Sequence, residues 1–267
     1  MGRAASAGTA GLFMAIEQAH AAATLLQVRI EAKNHGVTPV LRDISFDLHR
    51  GDVLAIMGRS GCGKTSLLRI LAGLDDAYSG QVSWAGYSIR QRRNRAFPRI
   101  GMVFQEPLLL PWKTLRQNVA LMMPAPDEAL IERLFTELGL KEVADSLPGR
   151  VSLGMARRAA LVRALASKPD ILLLDEPFAS LDKDSIGISM GLLRRFWRSG
   201  TMATVMVTHE ALDAARLANR VMMLGGKPAS MIRQVNLPGA NPSERSLTAE
   251  EEARLAADLQ SPEDLIT

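Results

Sequence analysis

The chain has 267 residues, 47% of them hydrophobic, enough to bury a core as one large domain or two small ones. A formal net charge of only +4 implies no strongly polyanionic partner, and the single cysteine, Cys62, excludes an internal disulfide framework and fits a reducing compartment. No apolar run reaches the roughly 18 residues that a membrane span needs. Residues 1–24 are rich in Ala, Gly and Ser and lack a compact apolar run, so they read as a disordered extension rather than a secretory signal, with Met1 and Met14 both open as starts.

Leu25 to Glu31 and Val40 to Leu48 alternate apolar and polar residues, which predicts two antiparallel-type strands. Val53 to Met57 is a short apolar run, expected as a buried parallel strand, and Ser66 to Ala72 follows as a helix. A strand is expected within 78–86. Arg90 to Arg99 holds five arginines but no interleaved aromatic beyond Phe97, so it reads as a solvated loop rather than a nucleic-acid patch. Ile100 to Phe104 predicts a strand; Thr114 to Met123 and Asp127 to Gly139 predict helices. Ser152 is a good N-cap for a helix running to Ser167. Strands at 171–174, 204–208 and 221–224 alternate with helices at 186–198 and 212–219. An amphipathic acidic helix is expected over 248–259. Strand–helix alternation with a helical insertion predicts an α/β fold: a mostly parallel sheet flanked by helices, plus a helical lobe.

Gly58-Arg59-Ser60-Gly61-Cys62-Gly63-Lys64-Thr65 fits the G-x-x-x-x-G-K-[ST] pattern, and it lies between a predicted strand and a predicted helix. The chemistry explains the residue types. Glycines let backbone N–H groups wrap a phosphate, and the helix N-terminus adds unpaired donors and a favourable dipole. Lys64 supplies a point charge, and the Thr65 hydroxyl suits Mg²⁺. Together with Ser66 this stretch is the candidate triphosphate site. Cys62 reads as a small side chain filling a tight turn. Asp175 and Glu176 follow the buried strand 171–174, at the strand end where open parallel sheets bind ligands. Asp175 can hold Mg²⁺ through water, and Glu176 can polarise an attacking water.

Across roughly residues 25–230 the ordered motifs resemble the nucleotide-binding subunit of ABC transporters. Gly58 to Thr65 resembles the Walker A loop, Ile171 to Glu176 Walker B, Val151 to Met155 the signature motif, Ser180-Leu181-Asp182 the D-loop, and His209 the H-switch. Gln105 resembles the Q-loop glutamine, which reaches the metal and couples to the membrane partner. The resemblance implies a P-loop NTPase (RecA-like) core over 25–230, an N-terminal antiparallel β part, a helical subdomain at about 105–155, and a C-terminal tail over 231–267. It implies ATP and Mg²⁺, with Glu176, His209 and Gln105 catalytic and Thr65, Gln105 and Asp175 at the metal. It also implies a head-to-tail homodimer in which Ser152 and Gly154 of one copy close the other's ATP site.

The partners implied are an integral membrane permease and, indirectly, a solute-binding protein, with the subunit peripheral on the cytoplasmic face of the inner membrane and no nucleic acid involved. Leu109-Leu110-Pro111-Trp112 resembles the nitrate, sulfonate and taurine importers. Gly154 to Arg158 is similar to lipid-trafficking members. A non-transport ATPase of the same superfamily and a weakly hydrolysing scaffold are further alternatives. Two positions depart from the family pattern. Leu153 stands where the signature has its first glycine, which implies retained but slowed activity. His35 matches the place of the adenine-stacking aromatic, which implies weaker grip on the base.

Overall fold

A computed structural model describes residues 24–91, 97–238, 245 and 247–260. Residues 1–23 and 92–96, the latter within the arginine-rich run, fall outside them; Thr24, expected at the end of the N-terminal extension, instead begins the first strand because it pairs with His49. Two sheets form the frame. The first has the order β2-β1-β4-β5 and is antiparallel, from β1 (Thr24–His35), β2 (Thr38–His49), β4 (Tyr78–Trp84) and β5 (Tyr87–Ser88). Its register pairs Leu26 with Leu48, Val28 with Phe46 and Ile30 with Ile44, so one face of alternating side chains is buried together.

The second sheet has the order β10-β9-β3-β8-β7-β6. Its strands are β3 (Val53–Gly58), β6 (Ile100–Val103), β7 (Ile171–Asp175), β8 (Ala203–Val207), β9 (Arg220–Gly225) and β10 (Ser230–Asn236). All neighbours in it are parallel except β9 with β10. The central strands are apolar on both faces because both are covered. Leu54 and Ile56 face the antiparallel sheet and α1 (Lys64–Leu71), whereas Val53, Ala55 and Met57 face the helical side. Leu172 and Leu174 split from Ile171 and Leu173 in the same way.

The helical side carries α2 (Leu115–Ala120), α3 (Glu128–Glu137), α4 (Leu153–Ala166), α5 (Lys183–Trp197), α6 (Ala211–Leu217) and α7 (Ala249–Leu259). Side-chain caps start most of them. Thr114 forms a reciprocal box with Gln117, and Asp127, Ser152 and Asp182 accept from backbone N–H groups three residues on. The Asp182 cap starts α5 one turn before the 186 expected from apolar periodicity. Thr248 and Glu251 box the start of α7, which packs on α6 through the Arg216–Glu252 pair at 2.8 Å. The parallel-type sheet continues past position 230, because β10 adds an antiparallel edge to β9.

Gly80 shows how tightly the antiparallel sheet is built. It has φ +106°, and a Cβ there would lie 2.1 Å from the Arg29 carbonyl oxygen. It pairs with Ile30 where the register shifts between Ile30 and Ala32. Gly80→Ala is expected to cost about 3 kcal/mol of stability, read as a lower urea midpoint.

Candidate functional site

The loop after β3 turns back on itself before α1. Gly63 makes the final turn at φ +110°, and a side chain there would collide with Leu41 Cδ2 at 2.8 Å and Val40 Cγ1 at 2.9 Å. Only glycine suits both the left-handed backbone and that approach. Lys64 follows, almost wholly buried. Its ammonium donates to the Gly58 and Arg59 carbonyls at 2.8 and 3.0 Å. A buried cation that donates to carbonyl oxygens, at the start of a helix, is a strong local attractor for phosphate oxygens.

Thr65 reaches across to the end of β7, where its hydroxyl donates to Asp175 Oδ1 at 3.3 Å. Burial pushes the Asp175 carboxyl up; the Thr65 hydrogen bond opposes that shift. Among the described residues no three His, Cys, Asp or Glu side chains come together that could hold a metal. Mg²⁺ needs no such cage: it is commonly held by one or two protein oxygens with water and substrate phosphates. The hydroxyl and the buried carboxylate fit that hard-oxygen donor set.

Glu176 is the next residue. Its φ of +47° is rare for a side-chain-bearing residue, and its backbone is fixed by N–H donation to Val207 O at 2.9 Å. The side chain lies 3.1 Å, Oε2 to Nδ1, from His209, which follows β8. Nε2 of that ring is 3.2 Å from Glu210 Oε1. His35, at the end of β1, places Nε2 3.3 Å from Ser66 Oγ.

These residues surround one region. A cleft of about 350 Å³ is lined by His35, Ser60, Gly61, Gly63, Lys64, Thr65, Ser66, Gln105 and Glu176. Beside it a second, of about 630 Å³, takes in Gly58, Arg59, His209 and the end of α7 at Leu259 and Gln260. Ser152 and Gly154 line neither. Leu153, half exposed, opens instead onto a separate groove with Glu106, Leu108 and Arg157.

Residues 41–179 match the ABC transporter family. The chain belongs to that family. This cassette is 40% identical over 225 residues to the aliphatic sulfonates import ATP-binding protein SsuB 1 of Pseudomonas aeruginosa (strain UCBPP-PA14), spanning 83% of this chain and 89% of the relative. It is 37% identical to the protein of the same description in Xanthomonas axonopodis pv. citri (strain 306), over 90% and 94% of the two chains. Among solved structures it superposes with TM-score 0.71 and 26% identity on an ATP-binding cassette in a dimeric post-hydrolysis state with ADP and Pi, covering 80% of this chain and all of that one. A structure of an ATP-binding subunit of an ABC transporter gives TM-score 0.72 at 25% identity, over 80% and 90% of the chains.

The cassette also holds a titrating group that the sequence reading passed over. Asp213 on α6 is buried beside Glu210, and burial first, then that negative charge, raise its carboxyl to about 6 against Arg216 and His209. The folded state therefore prefers the protonated form. Its contribution to stability is full below the ordinary value of 3.8 and is lost as pH rises through about 6. Asp213→Asn is expected to raise stability at pH 8 by on the order of 2 kcal/mol and to leave it unchanged below pH 3.8, measured by urea unfolding at both pH values.

Proposed function

We propose that two copies of this chain pair head to tail around two MgATP and drive an integral membrane permease that imports aliphatic sulfonates. The observation that carries the nucleotide part is the meeting of Lys64, Thr65, Asp175, Glu176 and His209 at the carboxyl ends of β3, β7 and β8. Gly58 to Ser66 would cradle the triphosphate, with His35 against the base. Mg²⁺, when bound, would be held by Thr65, Asp175 and Gln105, and would supply charge neutralisation to the triphosphate. Glu176 would orient the attacking water and accept its proton, while His209 would donate a hydrogen bond to the γ-phosphate. Glu176 is suited to this because its backbone is fixed before substrate arrives.

Ser152, Gly154 and the N–H groups opening α4 would close the partner's site, which is consistent with their position away from their own cleft. The solved neighbour caught as a dimer with ADP and Pi supports the pairing. The sulfonate assignment rests on the names of the relatives. Leu108, Trp112, Leu121 and Met122 are all more than half exposed on the helical lobe, which suits docking of a permease. Among the described residues no helix is long and apolar enough to cross a membrane, and we place the subunit peripherally on the cytoplasmic face of the inner membrane, with a solute-binding protein delivering cargo to the permease.

The test is genetic and biochemical. Cells lacking this chain are expected to lose growth on an aliphatic sulfonate as sole sulfur source and keep growth on sulfate. The purified chain is expected to hydrolyse MgATP. Normal growth on the sulfonate would remove the cargo assignment, and absence of hydrolysis would remove the motor.

A further inference from the structure

Immediately after Gln105 the chain leaves the cleft and enters the helical lobe without regular structure until α2. Two side chains hold that stretch. Arg163 on α4 directs both ends of its guanidinium at consecutive carbonyls, Nη2 donating to Pro107 O at 3.0 Å and Nη1 to Leu108 O at 2.7 Å. Leu108 sits at φ +44°, a left-handed conformation that a leucine adopts only when its surroundings enforce it. Farther on, the buried Asn118 accepts from Leu110 N–H at 2.7 Å and donates to the Leu110, Lys113 and Thr114 carbonyls at 3.2, 3.1 and 3.0 Å. Only Glu106 separates Gln105 from the first clamped residue.

Arg163 has no carboxylate within ion-pair distance among the described residues, and burial lowers its affinity for its proton. Its charge is spent on two backbone oxygens. A planar guanidinium fork can reach both at once; an ammonium is a single point. The same helix begins at the Ser152 cap, roughly three turns earlier. The fork therefore fastens the segment that leads from Gln105 to the helix that presents Ser152.

We infer that Arg163 is a positioning residue: by clamping Pro107 and Leu108 to α4 it fixes where Gln105 stands in the cleft and makes Gln105 move with the Ser152 helix. The catalytic consequence rests on the role given to Gln105 above; the clamp itself does not.

The experiment uses the full chain as wild type, Arg163→Lys, Gln105→Ala and the double variant. ATP turnover is measured against Mg²⁺ and ATP, and amide exchange is followed across 105–114. Arg163→Lys is expected to lower kcat about tenfold while the KM for ATP stays within about twofold, because the phosphate loop is untouched. In the Gln105→Ala background the same lysine is expected to cost less than about twofold. Exchange at Leu108–Leu110 is expected to rise about tenfold in Arg163→Lys, with α1 unchanged. A tenfold cost that persists in the double variant, or a lysine variant with wild-type kcat, overturns the catalytic inference. If Gln105→Ala turns over like wild type, it is the role of Gln105 that fails, and exchange alone judges the clamp: unchanged exchange overturns it.

Discussion

Glu176→Gln is expected to lower ATP turnover by about 10²-fold or more while leaving the fold and nucleotide binding intact. The reasoning starts from the backbone. Glu176 occupies φ +47° and is tied to Val207, and these constraints act on the main chain, which glutamine shares. The substitution keeps shape and removes the carboxylate, so water beside the γ-phosphate keeps a polar neighbour but loses its proton acceptor. The His209 ring at 3.1 Å loses a negative partner and keeps a hydrogen-bond acceptor. With binding intact and cleavage blocked, the closed pair should accumulate. Light scattering in MgATP is expected to give a dimer mass for Glu176→Gln and a mostly monomeric mass for wild type after turnover. Turnover within a few-fold of wild type would assign the base elsewhere, and a variant that stays monomeric would remove the head-to-tail pairing.

Lys64→Ala is expected to weaken MgATP binding by about 10²-fold or more, read by titration calorimetry. The ammonium is held by the Gly58 and Arg59 carbonyls at the edge of the cleft, and Lys64 is almost wholly buried, so its charge is less screened than one in bulk water. Alanine removes the charge that opposes the triphosphate and leaves two carbonyl oxygens pointing at the incoming anion. Attraction becomes repulsion at the same place. The variant should therefore lose more affinity than removal of any one neutral hydrogen-bond donor in the loop. An unchanged Kd would show that the phosphates sit elsewhere.

The parts of this site that were legible in the sequence are those whose chemistry restricts residue type over a short span. Gly63 and Lys64 had to be read together because only glycine makes the turn and only a long cation reaches back from the helix. Asp175 and Glu176 stood out because two acids end a strand otherwise wholly apolar. The buried strands were legible for the same reason, since β3, β7 and β8 are covered on both faces. β10 was not: Met231, Ile232 and Arg233 are each partly exposed on an edge, and a half-exposed strand carries no clear alternation. Arg163 and Asn118 were also invisible. Their partners are carbonyl oxygens, which every residue supplies, so nothing in the composition marks the pairing. Asp213 escaped because the largest cause of its shift is burial, which packing of the whole chain supplies and the nearby Glu210 only reinforces.

Val40 and Leu41 belong to β2, outside every motif, yet their methyl groups stand where a side chain on Gly63 would be. The floor under the anion's last turn is thus aliphatic and set by a different sheet. Slow sequence drift at two ordinary β-sheet positions can therefore loosen or tighten how firmly phosphate is held, and a comparison confined to the signature stretches would miss the residues responsible.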